Sequence, residues 1–196
     1  MKILIDNGHG FNTAGKCSPD GSLREYAYTR EIAIRVVNEL TSRGYDADRI
    51  VKEVKDISLT ERCKRVNAFC KSLGLKNVIL VSIHVNAAGA DGKWHDANGF
   101  SVHVNKTSSS DSKKLASSLI ESAESVGLKV RKYSQLSPYW PQNLAICRDT
   151  LCPAVLTENL FQDNKSDVAF LLSEEGKEAV TQLHVNGIIN YIEIHK

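Results

Sequence analysis

Three short segments of this chain, residues 2–6 (KILID), 77–84 (NVILVSIH) and 153–158 (PAVLTE), are apolar at successive positions instead of alternate ones. A strand with one face in water alternates apolar and polar residues, whereas a strand covered on both faces does not. Each segment therefore needs helices above and below it, and the chain supplies them. Residues 25–43 carry Ile32, Val36 and Leu40 at helical spacing and stop at Gly44, and residues 60–73 stop at Gly74. Residues 113–126 and 177–192 complete the long helices, the first preceded by a polar stretch from Thr107 to Ser112 that suits a helix cap. This alternation predicts an α/β fold: a single domain with a mainly parallel twisted sheet flanked by helices on both faces. Residues 46–54 and 100–104 supply further strands of undetermined direction.

No repeat or Pro/Ser-rich linker divides the sequence, so residues 1–196 are expected to form one unit. The 25 Lys and Arg against 23 Asp and Glu leave a formal charge of +2, too little for a nucleic-acid partner. No apolar run approaches the roughly 18 residues of a transmembrane segment. The apolar stretch before Asp6 is too short for a signal peptide. Five cysteines at uneven spacing, with no CxxC pair, are expected to be reduced and mostly buried thiols from a reducing compartment.

The polar residues at the ends of the apolar strands are the informative ones. His9 follows the first strand after an Asn7-Gly8 turn, His84 ends the second and Glu158 ends the third. The carboxyl edge of an open α/β sheet is where ligands bind. Glu25 shares a helical stripe with Ile32 and Val36, so it points towards the sheet and onto the same rim. Two imidazoles and one carboxylate form a zinc triad with a fourth position open to water, and a second carboxylate outside it suits proton transfer. Which glutamate is the ligand does not follow from spacing; Glu158 fits the proton-transfer role.

These residues resemble the zinc-dependent N-acetylmuramoyl-L-alanine amidases of the Amidase_3 family. The carrying motifs are Ile5-Asp6-Asn7-Gly8-His9-Gly10, Gly21-Ser22-Leu23-Arg24-Glu25, Leu59-Thr60-Glu61-Arg62 with downstream Asn67, Ser82-Ile83-His84-Val85-Asn86-Ala87, and Thr157-Glu158-Asn159-Leu160-Phe161 with Asn164. The resemblance runs from residue 2 to about 192. It implies one zinc ion held by His9, Glu25 and His84, with Glu158 as general base. It also implies hydrolysis of the amide between the lactyl group of N-acetylmuramic acid and the L-alanine of the peptidoglycan stem. Asn86 is a candidate substrate contact or a loop cap. Trp94, His95, Tyr139 and Trp140 are candidate cleft flanks or packing residues. Asn7 departs from the usual Pro, and Leu160 stands where Gly is more common. The 73 residues between His84 and Glu158 leave no room for a long inserted helix, so an open, uninhibited site is expected.

The expected partner is peptidoglycan or a muropeptide, met by a monomer at the bacterial cell wall, with phage-type synthesis or a shortened form explaining the lack of a signal peptide. Other readings fit less well. Gly10 to Cys17 approximates a phosphate-binding loop but ends in Cys, and Ser18-Pro19-Asp20-Gly21 reads as a turn where a helix would have to start. Other zinc peptidases typically place two ligands in a short His-x-x-Glu, and a wall-binding module without activity would not need all four polar positions.

Overall fold

The computed structural model describes residues 1–194. Six strands, β1 (Lys2–Asn7), β2 (Asp46–Arg49), β3 (Val78–Asn86), β4 (Ser101–Val104), β5 (Trp140–Pro141) and β6 (Ala154–Phe161), form one sheet in the order β2-β1-β3-β6-β4-β5. The first three and β6 run parallel; β4 is antiparallel to β6, and β5 parallel to β4. The helices are α1 (Glu25–Ser42), α2 (Leu59–Leu73), α3 (Ser110–Ser125), α4 (Ala145–Arg148), α5 (Lys165–Leu172) and α6 (Glu174–Ile194).

The consecutive apolar residues of the central strands divide between two cores. Ile3, Ile5, Ile79, Val81, Ile83 and Val155 enter the larger core with Ile32, Val36 and Leu40 of α1, Leu115 and Leu119 of α3, and Val180, Leu183 and Ile188 of α6. Leu4, Leu80, Ala154 and Leu156 point the other way, against Cys63, Val66 and Cys70 of α2 and Ile146 of α4. Helices thus cover both faces, as the unbroken apolar runs require. Gly187 lets α6 approach α3 closely: a Cβ there would meet the Leu119 side chain at 2.9 Å.

Helix ends follow local chemistry. Ser58 accepts the Glu61 N–H at 3.3 Å and Ser109 the Ser112 N–H at 3.1 Å, so α2 and α3 start ahead of residues 60 and 113. The expected strand over 46–54 stops at Arg49: beyond it the Ile50 N–H still reaches the Ile5 carbonyl at 3.0 Å, but Lys52–Val54 turn out to solvent with no neighbouring strand. The five cysteines are unpaired, and four of them, Cys63, Cys70, Cys147 and Cys152, are buried in the smaller core.

Candidate metal centre

The face of the sheet covered by α2 and α4 carries, towards the strands' carboxyl ends, Asp6, Ser82, His84 and Glu158, because these share the register of Leu4, Leu80 and Leu156. Past Asn7 the chain turns sharply. His9 has φ of +60°, a left-handed conformation that a non-glycine residue adopts only when its surroundings enforce it. The enforcement comes largely from Arg62. This α2 guanidinium is buried and donates to the Asp6 carboxylate, to the Asn7 carbonyl at 2.8 Å, the His9 carbonyl at 3.2 Å, Asp56 at 2.9 Å and the Ile57 carbonyl at 2.8 Å. Ser82 donates to the second Asp6 oxygen. Gly8 completes the fit: a Cβ there would lie 2.4–2.8 Å from three atoms of the His84 ring.

Glu25 opens α1, where its N–H donates to the Lys16 carbonyl at 3.0 Å. Its side chain is 1% exposed and reaches the carboxyl edge of the sheet. Oε1 accepts the Val85 N–H at 2.9 Å and lies 3.2 Å from His84 Nδ1, while Oε2 lies 3.4 Å from His9 Nε2. The two imidazoles meet edge to face with centroids 5.0 Å apart. One ligand-competent atom from each of His9, Glu25 and His84 falls within 4.8 Å of the others. Ligands about 2.0–2.2 Å from a common tetrahedral ion stand a little over 3 Å apart, so this donor set fits zinc. Glu25 Oε2, buried without a hydrogen-bond donor, has the free lone pairs such a ligand needs.

The electrostatics agree with that division of labour. Burial pushes His9 down to about 4, leaving a neutral imidazole at working pH. Burial alone would raise Glu25, but the His84 hydrogen bond and the charges of His84 and His9 hold it below the usual carboxylate range. Burial would likewise lower His84, yet Glu25 on its ring nitrogen and Glu158 nearby raise it. Glu158 stands beside His84 in the β3–β6 register, one carboxyl oxygen buried and without a partner. Burial drives its pKa up to about 7, with Glu25 adding to the rise and His84 and Lys16 opposing it.

His9, Glu25, His84 and Glu158 are therefore brought together. Asn86 sits two residues past His84, its Oδ1 accepting the Ala87 N–H at 2.8 Å as a loop cap. Trp94 and Tyr139 pack against the larger core, His95 pairs with Asp91 at 2.9 Å, and Trp140 lies in β5 with its Nε1 donating to the Arg131 carbonyl at 2.8 Å. The segment 10–17 contains no helix, which removes the phosphate-loop geometry. Arg62 was visible only as part of a motif; its role as a hub beneath His9 emerges from the fold.

The profile of the Amidase_3 family, described as N-acetylmuramoyl-L-alanine amidase, matches residues 3–190. The chain belongs to this amidase family. It is 26% identical over 196 residues to the endolysin of Bacillus phage SPP1, covering 99% of this chain and 67% of that protein. It is 28% identical to the N-acetylmuramoyl-L-alanine amidase CwlM of Bacillus licheniformis, covering 100% of this chain and 70% of the relative. The crystal structure of the N-acetylmuramoyl-L-alanine amidase from Clostridium difficile 630 superposes with a TM-score of 0.81 at 27% identity, covering 98% of this chain and 96% of that one. Amidase_3 enzymes are generally zinc-dependent, in keeping with the His/Glu/His cluster. The amidase fold here is a single α/β domain, and among the described residues no helix is long and apolar enough to cross a membrane.

Proposed function

We propose that this amidase uses one zinc ion, held by His9, Glu25 and His84, to hydrolyse the amide between the lactyl group of N-acetylmuramic acid and the L-alanine of the stem peptide. Residues 1–196 act as one catalytic unit at the bacterial cell wall. The observation that carries the reading is a carboxyl poised near neutrality, Glu158 at about 7, in register beside a ligand-competent cluster. All four residues come from one chain, so a monomer suffices.

When bound, zinc supplies Lewis-acid polarisation of the scissile carbonyl and brings the pKa of water in its open position to about 7. Glu158 takes the proton of the attacking water and delivers it to the departing nitrogen; in the metal-free protein burial already raises its proton affinity above that of an ordinary carboxylate. His9, kept neutral by burial, and Glu25, kept ionised, hold the ligand geometry. Arg62 and Gly8 fix the turn and the ring that His9 and His84 present. Asn86 has its amide NH₂ left to meet substrate, since among the described residues only its Oδ1 is engaged. Between β3 and β6, α3 packs on α6 and the four-residue α4 packs on α2, which supports an open site.

Digestion of purified peptidoglycan with and without a chelator tests the reading. The expected products are free muramic lactyl carboxyls and new N-terminal L-alanine, both lost on chelation. New reducing sugar ends, or cleavage within the peptide, would overturn it.

A further inference from the structure

Between the loop leading to α1 and the loop following β3 lies a cavity of about 430 Å³, with Gly15, Lys16, Ala87, Lys93 and Gln162 among its walls. It adjoins the metal centre. Ala87 comes three residues after His84, and the Lys16 carbonyl accepts the Glu25 N–H at 3.0 Å. The Lys16 charge is felt at both His9 and Glu158.

Two independent features mark it as a binding site. The first is charge: among the described residues, neither the Lys16 nor the Lys93 ammonium is paired with a carboxylate. The one carboxylate in the wall, Asp163, is committed to the Ala88 and Gly89 N–H groups at 2.8 and 3.0 Å. The second is Gln162, 4% exposed, whose Nε2 reaches the Gly15 carbonyl at 3.5 Å while its buried Oε1 has no partner. A buried acceptor without a donor is unfavourable until a ligand N–H meets it. The small side chains of Gly15 and Ala87 leave room for an extended backbone.

We propose that this cavity receives the stem peptide and selects one with a free carboxylate close to the cleaved amide, with Lys16 and Lys93 holding that charge and Gln162 Oε1 accepting a peptide N–H. The inference rests on the amidase reading above. Charge assigns the side: N-acetylated sugars are neutral once the lactyl carboxyl is in amide linkage, so the peptide half is the anionic one. A carboxylate there gains ion pairs with the two ammonium groups that a neutral carboxamide does not.

The test uses two soluble substrates, N-acetylmuramoyl-L-alanyl-D-glutamyl peptide and its D-isoglutaminyl counterpart, which differ only in that carboxylate. The metal-loaded enzyme is expected to favour the acid by about tenfold in kcat/KM, mainly through KM. Lys93→Met and Lys16→Met are each expected to bring the ratio to within about threefold of unity. Taken within one variant, that ratio is independent of the fraction folded or metal-loaded. Gln162→Leu is expected to lower kcat/KM for both substrates alike. Equal wild-type rates on the two, or a ratio unchanged in both lysine variants, would overturn the inference and leave the amidase reading standing. Failure to cut either at the lactyl–alanine amide would instead remove the amidase reading.

Discussion

Replacing Glu158 by Gln removes one ionisable group and leaves its shape, so it separates the acid–base role from a ligand role. In the metal-free protein burial raises the carboxyl from an ordinary value of 4.5 to about 7. Between those two values the unfolded chain has released the proton and the folded chain still holds it. Stability therefore falls as pH rises through that window, with the full penalty present above pH 7. A shift of this size corresponds to about 3 kcal/mol at 1.36 kcal/mol per unit, trimmed to about 2–3 kcal/mol because the residue is partly exposed. Gln carries no such penalty. Urea denaturation of the chelated proteins is expected to give similar stabilities at pH 4.5 and a variant about 2–3 kcal/mol more stable than wild type at pH 8. Parallel curves would refute the argument that burial destabilises this carboxylate. With zinc restored, kcat is expected to fall by about 10²–10⁴, the usual contribution of a positioned acid–base group. Zinc content should stay near that of wild type. A variant that loses the metal would show that Glu158 is a ligand and that its role and that of Glu25 have been exchanged.

The same geometry sets other outcomes. Because Glu25 raises His84 above the ordinary imidazole value of 6.5, zinc binding at pH 6.5 should displace more than half a proton, measured by calorimetry in buffers of different ionisation enthalpy; zero release would contradict the His84–Glu25 pairing. Gly8→Ala places a Cβ 2.4–2.8 Å from the His84 ring and should abolish stoichiometric zinc binding while leaving far-UV circular dichroism intact. Arg62→Met strands the buried Asp6 carboxylate and should cost about 3–5 kcal/mol in urea, with part recovered by adding Asp6→Asn. Asn7→Leu replaces two buried, unpartnered polar atoms with methyls of similar shape, and a gain of about 1–3 kcal/mol in the same assay is expected.

Much of the architecture was legible because burial on both faces leaves a direct trace in composition. The three central strands carry consecutive apolar residues, Ile3–Ile5, Val78–Val81 and Ala154–Leu156, and that pattern alone demands helices on each side. The short elements left no comparable trace. The α4 helix has four residues and β5 has two, too few for any period to show. The α5 helix buries only Asp167, Val168 and Leu171 over eight residues, so its apolar face is weak. The antiparallel run of β4 depends on where the chain re-enters the sheet, a long-range matter that local periodicity does not encode.

The candidate site divides along the same line. His9, His84 and Glu158 were visible because each interrupts or follows an apolar strand, and Glu25 because it shares a stripe with core residues. Arg62 was not readable as a hub: an Arg on a helix usually faces water, and only the folding of the loop around Asp56 and Ile57 over α2 buries it. Lys16 presented itself as half of a defective phosphate loop. Its charge matters to His9 and Glu158 because the bridge between Cys17 and Arg24 folds that loop back beside the sheet edge.

Leu160 shows how a local departure and the site geometry meet. From His84 to Asn86 β3 advances two residues, while β6 advances three from Glu158 to Phe161, so β6 carries a one-residue bulge directly after Glu158. Leu160 lies in that bulge with φ of +62°, the conformation for which Gly is the natural choice. A left-handed non-glycine residue costs about 1–2 kcal/mol. Yet Leu160 is only 5% exposed and joins the larger core, and burying a Leu side chain returns about 1.5–3 kcal/mol. Burial therefore offsets the strain, which explains how Leu stands at a left-handed position. The bulge is held from both sides: Asn159 Nδ2 donates to the His84 carbonyl at 2.8 Å, and the Phe161 N–H donates to Asp167 at 3.0 Å. Regular pairing thus ends at His84 and Glu158, and the Glu158 carboxyl stands at the last in-register position beside the His84 imidazole, where the ladder opens.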